Sequence, residues 1–176
     1  MTTLRLLQSS KVLAAVILAT SAYVLPAAAA DGLIGTHRIS AALALEAVSA
    51  AMAACAAQGF GETVVLVDAD GVRQAEVRGD GTGVHTLDAG FDKAYTSATY
   101  KGDTLALAVR AASQPSPSAL QTGLAKLPHL LPAGGGVVIK VGDEVVGAIS
   151  ASGTPSGEVD EGCAKAGLAK ISDRLK

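Results

Sequence analysis

Tryptophan is absent, and phenylalanine and tyrosine together supply only 3% of the 176 residues. That leaves little material for the stacked platforms that hold single-stranded nucleic acid, or for an aromatic cage around a quaternary cation. Positive charge is not in excess either, with 14 Lys and Arg against 16 Asp and Glu. Nucleic acid and anionic membrane surfaces are therefore poor partners. The three histidines, His37, His85 and His129, form no close pair at metal-ligand spacing, and the two cysteines, Cys55 and Cys163, match no metal-binding pattern. The glycines fit neither the dinucleotide nor the P-loop spacing, and no serine, histidine and acid can be assigned as a triad.

No apolar run reaches the roughly 20 residues of a membrane-spanning helix. The nearest, Val12 to Leu25, follows Arg5 and Lys11 and precedes Pro26 and the small-residue run Ala27 to Ala30. This order of charge, apolar core and Ala-x-Ala site predicts a secretory signal peptide over residues 1–30, the alternative being an uncleaved anchor. No cysteine follows it to accept a lipid. Residues 31–176 then form one domain, periplasmic or secreted and not membrane-embedded after processing, large enough to bury its own core. Losing Arg5 and Lys11 takes the formal net charge from −2 to −4. An oxidising compartment lets Cys55 and Cys163 pair if their Cα atoms come within about 7 Å; otherwise they are two separate buried thiols.

Along the mature chain, Ala41, Leu45, Val48, Met52 and Cys55 recur at steps of four and three, predicting a helix capped by Ser40 and stopped by Gly59. Thr63 to Asp68 and Val72 to Arg78 read as a hairpin closed by Asp70-Gly71. A glycine-rich loop from Arg78 to Gly83 precedes a helix from Thr86 or Leu87 to Tyr100, and Asp103 starts another through Ala112. The prolines of Ser113 to Ser118 break it. Leu120 to Leu131 reads as a short helix and an extended piece. Val137 to Val141 and Val145 to Ser152 form a second hairpin across Gly142-Asp143. The last helix, from Glu158, aligns Val159, Cys163, Gly167 and Ile171. Hairpins separated by helices predict an α+β fold with an antiparallel sheet. Gly134-Gly-Gly136 precedes a strand, so close chain packing explains it better than phosphate binding.

The segment Lys93-Ala-Tyr-Thr96 places Lys93 and Thr96 on one helix face and Tyr95 elsewhere, near the glycine loop. Lys93 has the reach to meet a carboxylate, of the protein or of a ligand. Glu158 and Glu161 are spaced to hold an iron ion, although acids in a first helical turn are also favoured by the macrodipole.

Asp68-Ala-Asp-Gly71, Lys93-Ala-Tyr-Thr96, Gly135-Gly-Val-Val-Ile139 with Gly142, Val146-Gly-Ala-Ile149, Ser152-Gly153, and Asp160 to Gly167 occur in an order that resembles the GlcG/HbpS family, also found as the C-terminal domain of PduO-type proteins. The resemblance covers nearly all of the mature chain. It implies a profilin-like architecture, a five-stranded antiparallel sheet with helices on both faces, commonly assembled into homo-oligomers. It also implies haem as cofactor; of the histidines, His85, beside the glycine loop and the Lys93 helix, is the first choice of axial ligand and His37 the alternative, with Lys93 near a propionate and Tyr95 and Thr96 close to the group. Exported members resemble a haem- and iron-linked protein that partners a sensor protein. The expectation is thus an exported haem-binding protein in haem or iron sensing, storage or handling. The alternatives are a binder or enzyme for a small organic acid, built on Lys93, Tyr95 and the glycine loop, and a structural oligomeric module. Val138 stands where the family usually has proline, and Arg78-Gly-Asp-Gly81 replaces the more usual Arg-Met-Asp-Gly.

Overall fold

The computed structural model describes residue 32, residues 35–114 and residues 126–176. The expected signal peptide, the Pro-rich break at 115–118 and the start of the 120–131 region lie outside the described residues. Within residues 35–176 the elements are α1 (Ala41–Ala56), β1 (Thr63–Asp68), β2 (Arg73–Arg78), α2 (His85–Tyr100), α3 (Thr104–Ala112), β3 (Gly136–Val141), β4 (Glu144–Ser152), α4 (Gly157–Ile171) and a 3-10 turn at Ser172–Arg174. Among the described residues no helix is long and apolar enough to cross a membrane.

Local chemistry accounts for the boundaries. Ser40 Oγ accepts from the Leu43 N–H, 3.3 Å away, and starts α1. The hairpin turn after β1 is built by the Asp68 carboxylate, which accepts from the N–H groups of Asp70 and Val72 at 3.0 Å, while Gly71 takes a positive φ of 79°. The other hairpin turns at Gly142, φ 58°.

The strands form one antiparallel sheet in the order β2-β1-β4-β3. β1 is central, and Thr63 to Asp68 pair in unbroken register with Ser152 to Gly147. Strand alternation sends Val64 and Leu66 to the side covered by α1 and α4, and Val65 and Val67 to the side covered by α2. All six residues of β1 are consequently buried. The antiparallel sheet with helices on both faces matches expectation, but it has four strands among the described residues, not five. Among the described residues before β3, the Leu131 N–H donates 2.7 Å to Thr96 Oγ1 on α2.

The helix α1 turns differently from its predicted stripe. Ala44, Ala47, Val48, Ala51 and Cys55 are buried, whereas Leu45 is 55% exposed. Close packing on α4 selects the small side chains. A Cβ on Gly167 would come 2.5 Å from the Ala47 carbonyl oxygen and 2.8 Å from Ala51 Cβ. Gly167→Ala should therefore destabilise by about 1–3 kcal/mol through overpacking, although alanine is the better helix former by about 1 kcal/mol. A thermal melt tests this, and an unchanged or raised midpoint would show that α1 and α4 can separate at no cost.

Candidate functional site

The two faces of α2 carry different chemistry. Its inner face presents Lys93, which is buried together with Asp160 of α4, their Nζ and Oδ2 atoms 2.7 Å apart. The ammonium also donates to the Ala151 carbonyl at 3.4 Å, and Asp160 Oδ1 accepts from the Thr154 N–H at 3.0 Å. The glycine run before β3 makes room for this pair: a Cβ on Gly135 would meet Lys93 Cδ at 3.0 Å, and one on Gly136 the Lys93 carbonyl oxygen at 2.5 Å. Lys93 thus meets a carboxylate of its own chain.

A second acid lies beside this pair. Glu62, just before β1, is 1% exposed, and neither carboxyl oxygen has a hydrogen-bond partner among the described residues. Burial pushes its pKa up to about 8, with repulsion from Asp160 adding to the shift and Lys93 opposing it. The cluster holds one cation and two acids, and the unpaired acid keeps its proton at neutral pH. Cys55 and Cys163 do pair, with Cα atoms 5.6 Å apart, and their sulfurs lie with a Glu62 carboxyl oxygen within 4.8 Å of one another. Nothing in the local sequence separates Glu62 from a solvated loop acid.

The outer face of α2 carries Phe91 and Tyr95, one turn apart. His129, held at φ 66°, places its ring 5.0 Å from Phe91 and 5.8 Å from Tyr95. Its Nδ1 lies 2.9 Å from Asp92 Oδ1, and the side chain is 53% exposed. The Arg73 guanidinium sits 3.9 Å from the centre of the Phe91 ring, and Leu127 and Val72 are exposed. With Nδ1–H assigned as the donor to Asp92, Nε2 carries the free lone pair. Ligating histidines use this arrangement of imidazole and carboxylate. Sequence reasoning passed over His129; the Phe91-Asp92-x-x-Tyr95 spacing was the available signal.

The histidines favoured from the sequence stand apart. His85 is exposed at the start of α2, and its ring has no hydrogen-bond partner among the described residues. His37 is tied to Glu144: its N–H reaches Oε1 at 2.9 Å and its Nδ1 lies 2.7 Å from Oε2. Those two contacts, the backbone one first, hold the Glu144 carboxyl below its ordinary pKa. Thr86, next to His85, meets Thr63 at one end of β1, and Arg38, next to His37, meets Asp68 at the other. A strand of this length spans about 16 Å, so the two candidate rings stand at separate places on the protein.

Three other expectations change. Lys93 and Thr96 are both buried, Thr96 bonding the His129 carbonyl and the Leu131 N–H. Tyr95 packs on the outer face against Gly71, so Lys93, Tyr95 and the glycine loop do not converge on an organic acid. Glu158 is exposed and accepts from Ser156 Oγ, whereas Glu161 is buried and accepts from Lys165 Nζ at 2.7 Å and the Leu105 N–H at 3.2 Å. These contacts hold the two carboxylates in different environments and do not offer them to one ion.

The molecule is an α+β protein, an antiparallel sheet between helices, with a buried charge cluster inside and a carboxylate-oriented imidazole outside. Residues 39–169 match the family model described as "Haem degrading protein HbpS-like", and the chain belongs to this HbpS-like family. Among solved structures it is similar to HbpS at 30% identity, covering 78% of this chain and 93% of that one with a TM-score of 0.70. It is also similar to a double mutant of Streptomyces reticuli HbpS at 32% identity, covering 82% and 95%, TM-score 0.71. The PduOC:Heme complex is similar at 23% identity, covering 77% and 96%, TM-score 0.68, a likeness of fold alone. No curated protein sequence matches the chain.

Proposed function

We propose that this protein binds haem on the outer face of α2, with His129 as axial ligand. The observation that carries the reading is the His129 ring itself, exposed, flanked by Phe91 and Tyr95, and oriented by Asp92 so that Nε2 is free. Membership of a family described by haem chemistry supports it. The surroundings suit a flat apolar macrocycle, with Leu127 and Val72 exposed nearby and Arg73 at hand for a propionate. When bound, haem would supply the redox and oxygen chemistry of its iron. The protein's part is to hold and orient it: Asp92 fixes the tautomer and the orientation of the His129 ring.

His85 is the second ligand candidate, favoured by its unpartnered ring beside the exposed Val84. Hemin titration followed at the Soret band, with His129→Ala, His85→Ala and His37→Ala, decides among them. A saturable shift lost only in His129→Ala supports the assignment, and loss only in His85→Ala moves the site to the start of α2. No shift in the unaltered protein overturns haem binding.

The same reading takes the protein to act after export, in haem or iron handling, as a homo-oligomer that partners a sensor protein. The Cys55–Cys163 disulfide favours the oxidising compartment. The assembly and the partner rest on the family alone.

A further inference from the structure

We propose that reduction of the Cys55–Cys163 disulfide uncovers a binding site for a thiophilic divalent cation such as Zn2+, with Cys55, Cys163 and Glu62 as its protein ligands. The inference does not rest on haem binding. The three residues come from the end of α1, the middle of α4 and the loop before β1, and the fold brings one donor atom from each within 4.8 Å of the others. Two sulfurs and an oxygen are a donor set of borderline zinc, and three protein ligands with an open fourth position describe a reactive zinc site.

The distances suit the ion once the disulfide is open. At zinc-sulfur bonds of about 2.3 Å, tetrahedral geometry sets the two sulfurs about 3.8 Å apart. Non-bonded thiols separate to about that distance on their own, so breaking the bond moves the sulfurs towards the spacing that the ion requires.

Glu62 supplies the independent observation. Both of its carboxyl oxygens are buried with no hydrogen-bond partner among the described residues. An orphaned buried carboxyl is costly. A cation between the sulfurs would give it a partner.

The exposed Gln58 lies across Cys163, its Nε2 3.7 Å from Sγ and 3.1 Å from the Ala54 carbonyl oxygen. Movement of that side chain is the route this proposal assigns to the ion and to water as its fourth ligand.

The chemistry balances with a dithiol as reductant. Two electrons and two protons pass from the dithiol, which becomes a disulfide, and Cys55 and Cys163 become thiols. Binding of the ion then releases both thiol protons and the Glu62 proton. Exchange with a low-molecular-weight disulfide takes the two electrons back, reducing it to two thiols, re-forms the Cys55–Cys163 bond and expels the metal.

The test uses Co2+ as a spectroscopic probe. The full chain is reduced with a phosphine under anaerobic conditions and titrated, beside oxidised protein, Glu62→Gln and the Cys55→Ser/Cys163→Ser pair. The proposal expects a sulfur-to-cobalt charge-transfer band and tetrahedral visible bands at one equivalent, in reduced protein alone. Glu62→Gln should weaken binding at least tenfold, and Zn2+ should displace the probe. Absence of the band in reduced protein, or binding indifferent to Glu62→Gln, overturns the proposal. If reduction itself unfolds the chain, Zn2+ must restore the far-ultraviolet circular dichroism of the wild type and not of Glu62→Gln; failure to do so counts equally against it.

Discussion

Raising the pH from below about 4.5 to above about 8 is expected to remove up to about 4–5 kcal/mol of stability through Glu62 alone. The sign follows from which state holds the proton. In the unfolded chain Glu62 ionises near its ordinary value of 4.5, whereas in the folded protein it stays protonated up to about 8. Between these values the folded state binds more protons, so stability falls with rising pH, and above about 8 the loss levels off. Glu62→Gln keeps the shape, cannot ionise and should flatten the profile over this window. It should leave the variant more stable than wild type at alkaline pH and little changed at acid pH. Denaturant midpoints measured across the window are the check. Parallel profiles for the two proteins would mean that the folded state supplies Glu62 with a partner or with water.

The second large effect concerns the neighbouring ion pair. Lys93→Met should destabilise by about 3–5 kcal/mol, because it leaves Asp160 buried and uncompensated. Replacing both partners, as Lys93→Met with Asp160→Leu, should recover most of the loss, since the desolvation of two charges is then avoided. Asp160→Asn should be milder than Lys93→Met. Burial still raises the Glu62 pKa, but without Asp160 the added repulsion is gone and the attraction of Lys93 remains, so Glu62 becomes the counter-ion at hand for Lys93. Equal losses in the two single variants, or no recovery in the double, would show that the pair does not act as a unit with Glu62.

The sequence made the parts governed by local chemistry legible. Both hairpins followed from β-rich runs interrupted by Asp70-Gly71 and Gly142-Asp143, and the structure places its turns there. The ends of α1, its Ser40 cap and the buried face of α4 followed from capping and period. The buried face of α1 did not. Almost every residue of that helix is apolar or small, so its period cannot say which stripe faces inward, and the choice falls to Gly167, more than a hundred residues away. The site was legible only in part. A long lysine beside a glycine loop signals a carboxylate partner, but that the partner is Asp160, 67 residues on, is a tertiary fact. Glu62 and His129 owe their character to what surrounds them: the closed interior around one, and an α2 face and a distant turn around the other. The five-strand sheet came from resemblance, and the described residues form four strands.

The central position of β1 sets an order on assembly. One of its neighbours, β2, lies a short turn away in sequence, but the other, β4, lies about eighty residues downstream, and the helix sharing a core face with α1 comes later still. A chain released or interrupted before β3 can form the first hairpin and α1, yet Val64 and Leu66 lack α4 and the free edge of β1 lacks its partner. Contacts this distant in sequence close slowly, and an unpaired apolar edge invites association with other chains. Fragments ending in the middle third should therefore aggregate where the whole chain folds, and the final forty residues act as the element that completes the molecule.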